Sequence, residues 1–152
     1  MKTITIIQPW ATLIAIGEKE FETRSWATKY QGPLAIHAGK KIDKEICEQE
    51  PFKSVLAKHG YTVDNLPTGS IIAKAYLKNC YKVTHLTNGT RPGPVWLSAG
   101  DLTIGWGGIM HNEYYFGDYS DGRYAWKLEN VRKLVEPITA KGQQGFWNWD
   151  EK

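Results

Sequence analysis

The sequence predicts an α+β domain: a small mixed β-barrel of about six strands with two or three short helices. Two observations lead there. The apolar, β-branched stretches are short and are separated by Gly, Pro and Asn turns. The strand–helix–strand rhythm of a doubly wound sheet does not recur, nor does any internal repeat or low-complexity segment. At 152 residues the chain can bury one sizeable core without staples, so a single domain over 1–152 is expected.

Thr3 to Ile7 is β-branched and apolar and predicts the first strand. Pro9 suits the first turn of a short helix, where its missing N–H costs nothing. Ala11, Leu13, Ile14, Ala15 and Ile16 fill that helix, and Gly17 ends it as a left-handed cap. Phe21 to Trp26 returns as a strand, Tyr30-Gln31-Gly32 turns the chain, and Pro33 to Ala38 makes the next strand. Asp43 to His59 predicts a helix with Ile42, Ile46, Cys47, Val55 and Leu56 as its apolar stripe, broken in two by Pro51. A turn-rich connector from Gly60 to Gly69 follows.

Ser70 to Val83 predicts a long strand, bulged because its alternation slips between Ile72 and Tyr76. From 84 to 123, Asn88-Gly89, Pro92-Gly93 and Gly107-Gly108 punctuate short apolar pieces such as Val95-Trp96-Leu97. Loops and one or two short strands are expected there. Tyr124 to Leu128 alternates cleanly, with Tyr124, Trp126 and Leu128 on one face. Gly145-Phe146-Trp147 is expected to pack back and close the core.

Composition narrows the function classes. Hydrophobic residues at 41% and charged residues at 23% exclude a disordered chain. The 7 Trp and 8 Tyr exceed what so short a chain usually carries; most belong to the core and a few are free for a ligand. A net charge of +3 and a pI near 8.8 permit a phosphate-bearing partner without demanding one. Cys47 and Cys80 lie too far apart for a redox or zinc motif and read as reduced thiols of a cytoplasmic protein. No apolar run is long enough for a membrane span, and Met1-Lys2-Thr3-Ile4 reads as a strand rather than a signal peptide. His37, His59, His85 and His111 are scattered without metal-ligand spacing. Asp118-Tyr119-Ser120-Asp121-Gly122 lacks the ligand count of a calcium loop. Without a Gly-rich phosphate loop either, neither metal nor cofactor is expected.

The informative segment is Gly17-Glu18-Lys19-Glu20-Phe21-Glu22-Thr23-Arg24-Ser25-Trp26, preceded by Gln8-Pro9-Trp10. Strand periodicity puts Glu22, Arg24 and Trp26 on one face and Phe21 and Thr23 on the other. Lys19 sits in the entering turn, where a long side chain can reach Glu22 and Arg24. Such a face either lines a pocket or is a solvated edge that discourages strand pairing. Fixed charges beside flat aromatic faces suit a base or nucleotide. His37 lies on the following strand, which neighbours the motif strand if the two pair as a hairpin; a hydrogen-bonded structural role is expected for it.

Gly17-x-Lys19-x-x-Glu22-x-Arg24 resembles the signature of the ASCH family, the activating-signal-cointegrator homology domains. Gln8-Pro9-Trp10-Ala11, Arg24-Ser25-Trp26, Gly32-Pro33-Leu34-Ala35-Ile36, Ala38-x-Lys40, Pro67-Thr68-Gly69-Ser70-Ile71-Ile72 and Trp126-Lys127-Leu128 resemble the same family. The resemblance covers most of the chain and is weakest between 84 and 120. It implies a PUA-like β-barrel, a fold shared with domains that bind RNA or read modified bases. It also implies that Lys19, Glu22 and Arg24 line a cleft.

Three functions are then open. As an RNA-, single-strand- or nucleotide-binding domain, the chain would use Lys19 and Arg24 on phosphate or a base edge. Trp10 and Trp26 would stack, Gln8 would read polar groups, Glu22 would accept from an exocyclic amine, and Lys40 and Lys41 would form a basic rim. As a hydrolase of acylated cytidine or of RNA, it would use Lys19 and Glu22 as catalytic groups. One branch of the family cleaves acetylated cytidine with a lysine, a threonine and a glutamate, and Glu22 stands at that threonine's position with Thr23 one residue off. As a protein-interaction module, it would offer Tyr114, Tyr115 and Phe116 as a docking patch; the plainer expectation for these three is half-buried strand residues. Binding is the principal expectation.

Overall fold

A computed structural model describes residues 1–85, 95–100, 102–106 and 112–151. Its elements run β1 (Lys2–Gln8), α1 (Trp10–Ala15), β2 (Phe21–Arg24), β3 (Gly32–Ile42), α2 (Lys44–Cys47) and α3 (Phe52–Lys58). They continue as β4 (Ser70–His85), β5 (Val95–Ala99), β6 (Leu102–Trp106), α4 (Asn112–Tyr115), β7 (Tyr124–Thr139) and β8 (Phe146–Asn148). The local rules of the sequence account for many of the boundaries. Gly17 follows α1 at φ +81°, the left-handed conformation only glycine adopts without strain. Asp43 accepts from the Ile46 amide to cap α2, and the helical stretch is interrupted before α3 with Pro51 at the new start.

All eight strands join one sheet in the order β2-β7-β4-β3-β1-β8, with β5 on the far part of β4 and β6 on β5. β1 and β3 are parallel and the other pairs antiparallel, so the sheet is mixed. β4 slips register against β7 at Ile71/Ala73, Lys74/Tyr76 and Leu77/Asn79, the bulging expected from its broken alternation. The α+β, PUA-like class is therefore the one expected, with more strands than expected. Among the described residues no ladder joins the end strand β2 to β1, so the curled sheet has a seam.

The interior of the curl is filled by Ile4, Ile6, Ile14, Leu34, Ile36, Leu77, Trp126 and Leu128. A second cluster on the helical side joins Leu13, Cys47, Phe52, Leu56 and Phe116. A third packs Phe21, Tyr81, Val83, Leu97, Tyr119 and Ala125. Leu128 with Trp126 in one cluster and Ala125 in another reproduces the two faces predicted for that strand. No helix among the described residues is long and apolar enough to cross a membrane.

Four expectations need correction. β2 pairs with β7, not with β3, so His37 is not beside the motif strand. It contacts Thr5 Oγ1 and the Ala140 carbonyl instead, the structural role expected. β2 ends at Arg24, before Trp26. Tyr114 and Tyr115 lie on helix α4 and Phe116 is fully buried just after it, so none is a strand residue. The hydroxyl-rich, glycine-punctuated segment around them carries no helical period long enough to announce a four-residue helix. Lastly, β7 runs on to Thr139. Residues 129–139 are mostly exposed, and the β4 ladder rather than an apolar alternation makes them a strand. Asn88-Gly89, Pro92-Gly93, Gly107-Gly108 and His111 lie outside the described residues.

Candidate functional site

The seam is where β2 and β1 face one another, and it opens into a cleft of about 510 Å³. β8 covers β1 only from Lys2 to Ile4, and past that point Thr5, Ile6 and Ile7 line the cleft. Glu22, Thr23, Arg24, Ser25 and Trp26 form the facing side. Trp10 with Ile46 and Phe52 closes the helical end, and Tyr115, Phe116, Gly117, Asp118 and Arg123 form a further wall.

Arg24 spans the seam. Its Nη2 donates to the Thr5 carbonyl at 2.8 Å. The same guanidinium holds Glu22, with Nε 3.1 Å and Nη2 2.9 Å from Oε2. Period-two geometry puts both side chains on one face, so the pair is local in origin. Neither Arg24 Nη1 nor Glu22 Oε1 has a protein partner among the described residues. Two donors and one acceptor therefore remain for a ligand.

Lys19 is placed differently from the expectation. It is 1% exposed and does not line the cleft. Its Nζ donates to the Phe21 carbonyl and lies 3.8 Å from Glu113 Oε2, on α4. Burial pushes the ammonium below its ordinary 10.5, against the opposing pull of Glu113 and Glu22. Burial likewise pushes the Glu113 carboxyl above 4.5, partly offset by Lys19.

Trp26 stands at the cleft mouth, 36% exposed. It meets Trp126 edge-on with centroids 4.7 Å apart, and Phe146 at 5.4 Å. Those rings fix its orientation and leave part of the indole open. Trp10 is half-buried and braced edge-on by Phe52 at 5.9 Å.

Gln8 lies outside the cleft and fully buried. Its amide is engaged: Nε2 donates to Thr12 Oγ1 and the Pro67 carbonyl, each at 2.7 Å, and Oε1 accepts from the Thr12 amide at 2.9 Å. Lys40 and Lys41 are exposed at the end of β3 and do not line the cleft either.

The sequence carries no sign of Arg123 or Glu113 and offers Asp118 only as part of a candidate calcium loop. Arg123 donates to the Asp118 carbonyl at 3.1 Å and to the Thr23 carbonyl at 3.4 Å. Thr23, placed on the far face of the strand by its period, nonetheless lines the cleft and accepts from the Asp118 amide at 3.1 Å. No motif spacing could have found these residues. Only the chain's return past β2 brings them to the seam.

A mixed, curled sheet whose seam holds a carboxylate–guanidinium pair between aromatic side chains defines a PUA-like α+β domain with a charged cleft. The ASCH domain model matches residues 4–138, and the chain belongs to that family. It is also similar to Activating signal cointegrator 1 of Homo sapiens, 24% identical over 152 residues. That match covers 98% of this chain and 22% of the relative, so the chain spans about a fifth of that protein's length.

Proposed function

We propose that this domain binds single-stranded RNA by taking one base into the seam cleft. The observation that carries the reading is the Glu22–Arg24 pair, held by hydrogen bonds yet with Arg24 Nη1 and Glu22 Oε1 unpartnered among the described residues, in the cleft that Trp26 also lines. Donors beside an acceptor suit a base edge that offers a carbonyl and an exocyclic amine, as cytosine does. The cleft volume falls in the range of small-ligand sites. Its lining charges balance, Glu22 and Asp118 against Arg24 and Arg123, which favours a base over phosphate as the group taken inside. ASCH domains are generally considered RNA-binding.

Hydrolysis that used Lys19 would need that lysine to reach the substrate, and its ammonium is buried, bonded to the Phe21 carbonyl and absent from the cleft lining. Binding requires no such movement. The test is fluorescence anisotropy with a labelled single-stranded RNA of cytidines, for the native protein and for Arg24→Ala and Glu22→Gln. Each substitution is expected to weaken binding by roughly tenfold or more, the worth of one good bidentate contact. Equal affinity in all three proteins overturns the reading.

A further inference from the structure

The Tyr115–Asp118 wall of the cleft belongs to a segment that makes no ladder with β2, and α4 is four residues long, too short to hold itself. Something must set its height above the motif strand. Phe116 sinks into the helical cluster and Tyr119 into the cluster of Phe21, Tyr81, Val83, Leu97 and Ala125, which anchor the segment at two points. Gly117 is seated without slack: a Cβ there would lie 2.6 Å from the Tyr119 ring and 3.1 Å from the Thr23 methyl.

The polar ties converge on one side chain. Glu113 Oε1 accepts from the Glu20 amide. Its Oε2 lies 3.8 Å from Lys19 Nζ and 3.4 Å from the Tyr119 hydroxyl, which donates to it. The lysine is itself held by the Phe21 carbonyl at the start of β2. A charge pair taken out of water tolerates little displacement, because either partner alone would be left buried and uncompensated. Such a pair specifies geometry.

We propose that Lys19 and Glu113 form a positioning pair that sets the second wall of the cleft. Lys19 thereby acts on a bound base through α4 and does not touch it. The proposal deepens the base-binding reading and rests on it for the ligand, but the position of the wall can be tested without any ligand.

Amide hydrogen exchange on the free protein is the first arm, with Glu113→Gln and the double variant Lys19→Met/Glu113→Gln, in which no lone buried charge remains. Both variants are expected to speed exchange at the Glu20, Phe116 and Asp118 amides by about tenfold, with the β3–β4 ladder unchanged. Exchange at those amides equal to the native protein's overturns the proposal. The second arm is anisotropy with the cytidine RNA. Affinity is expected to fall by the same factor in the single and the double variant, because the pair acts as one unit. A much larger loss in the double variant means that Lys19 contacts the RNA directly, and also overturns it. If the native protein binds no RNA while the exchange arm behaves as expected, the positioning pair stands and the base-binding function fails.

Discussion

Arg24 Nη2 bonds the Thr5 carbonyl at 2.8 Å, so one side chain spans the seam that no ladder closes among the described residues. The same guanidinium holds Glu22. Arg24 is thus both a strut and a face of the cleft, and its two roles are separable by experiment. Arg24→Lys keeps the charge but has one nitrogen where the native residue has three. It is expected to lower stability by about 1–3 kcal/mol, since a charged group's hydrogen bonds are lost and Glu22 is left partly unpaired. RNA affinity should fall as well. Denaturant melts check the first and anisotropy the second; a variant that loses affinity at native stability would show the strut to be idle.

Trp26 offers a cleaner test of stacking, because it is partly exposed and meets Trp126 and Phe146 edge-on. Trp26→Ala is expected to cost about 1–3 kcal/mol in RNA binding, the usual worth of one base–aromatic stack. Trp26→Phe should recover part of it. Retention of full affinity in Trp26→Ala means that the indole is only a lid on the core.

Gln8, Lys40 and Lys41 should separate from the cleft residues. Gln8→Ala strands the Thr12 amide in the interior and is expected to destabilise by about 1–3 kcal/mol, with little change in RNA affinity for the folded protein. Replacing Lys40 and Lys41 together by Gln should leave stability alone and change affinity only at low salt, where distant charges still steer. A salt-independent loss of affinity would bring both lysines into direct contact.

Burial raises the Glu113 carboxyl above 4.5. An acid raised on folding contributes stability that is fully present below its unfolded value and is lost as pH rises through the folded value. Relative to Glu113→Gln, the native protein should therefore lose stability as pH climbs from 4.5 towards neutrality. Lys19 and Tyr119 face the carboxylate, with Glu20 beside it, and Glu22 and Arg24 act on Lys19. Comparing the two proteins cancels titrations that Glu113 does not influence; that of Lys19, which Glu113 raises, is not among them. Urea melts across that window check the sign; a difference that stays constant or reverses removes the buried carboxyl as its source.

Much of the fold was legible because its causes are local. β-branching announced β1 and β4, glycine ended α1, proline split the second helical stretch, and period two put Glu22 beside Arg24. The late segment was not legible. α4 and the second half of β7 exist because Glu113 of α4 is tied to Lys19 and Glu20 ahead of β2 and β7 lengthens the β4 ladder, not because their own residues favour those states.

The site divides along the same line. By itself the sequence determined which charged and aromatic groups share one strand face, since backbone sterics repeat over a few residues whatever lies beyond. Tertiary structure decided the rest. Pairing β2 with β7 turned its other edge to β1 and made the seam. Folding the wall over Lys19 removed that lysine from water and gave it Glu113 as partner. Burial and the meeting of strand edges depend on residues far apart in the chain, and desolvation acts only once they have met.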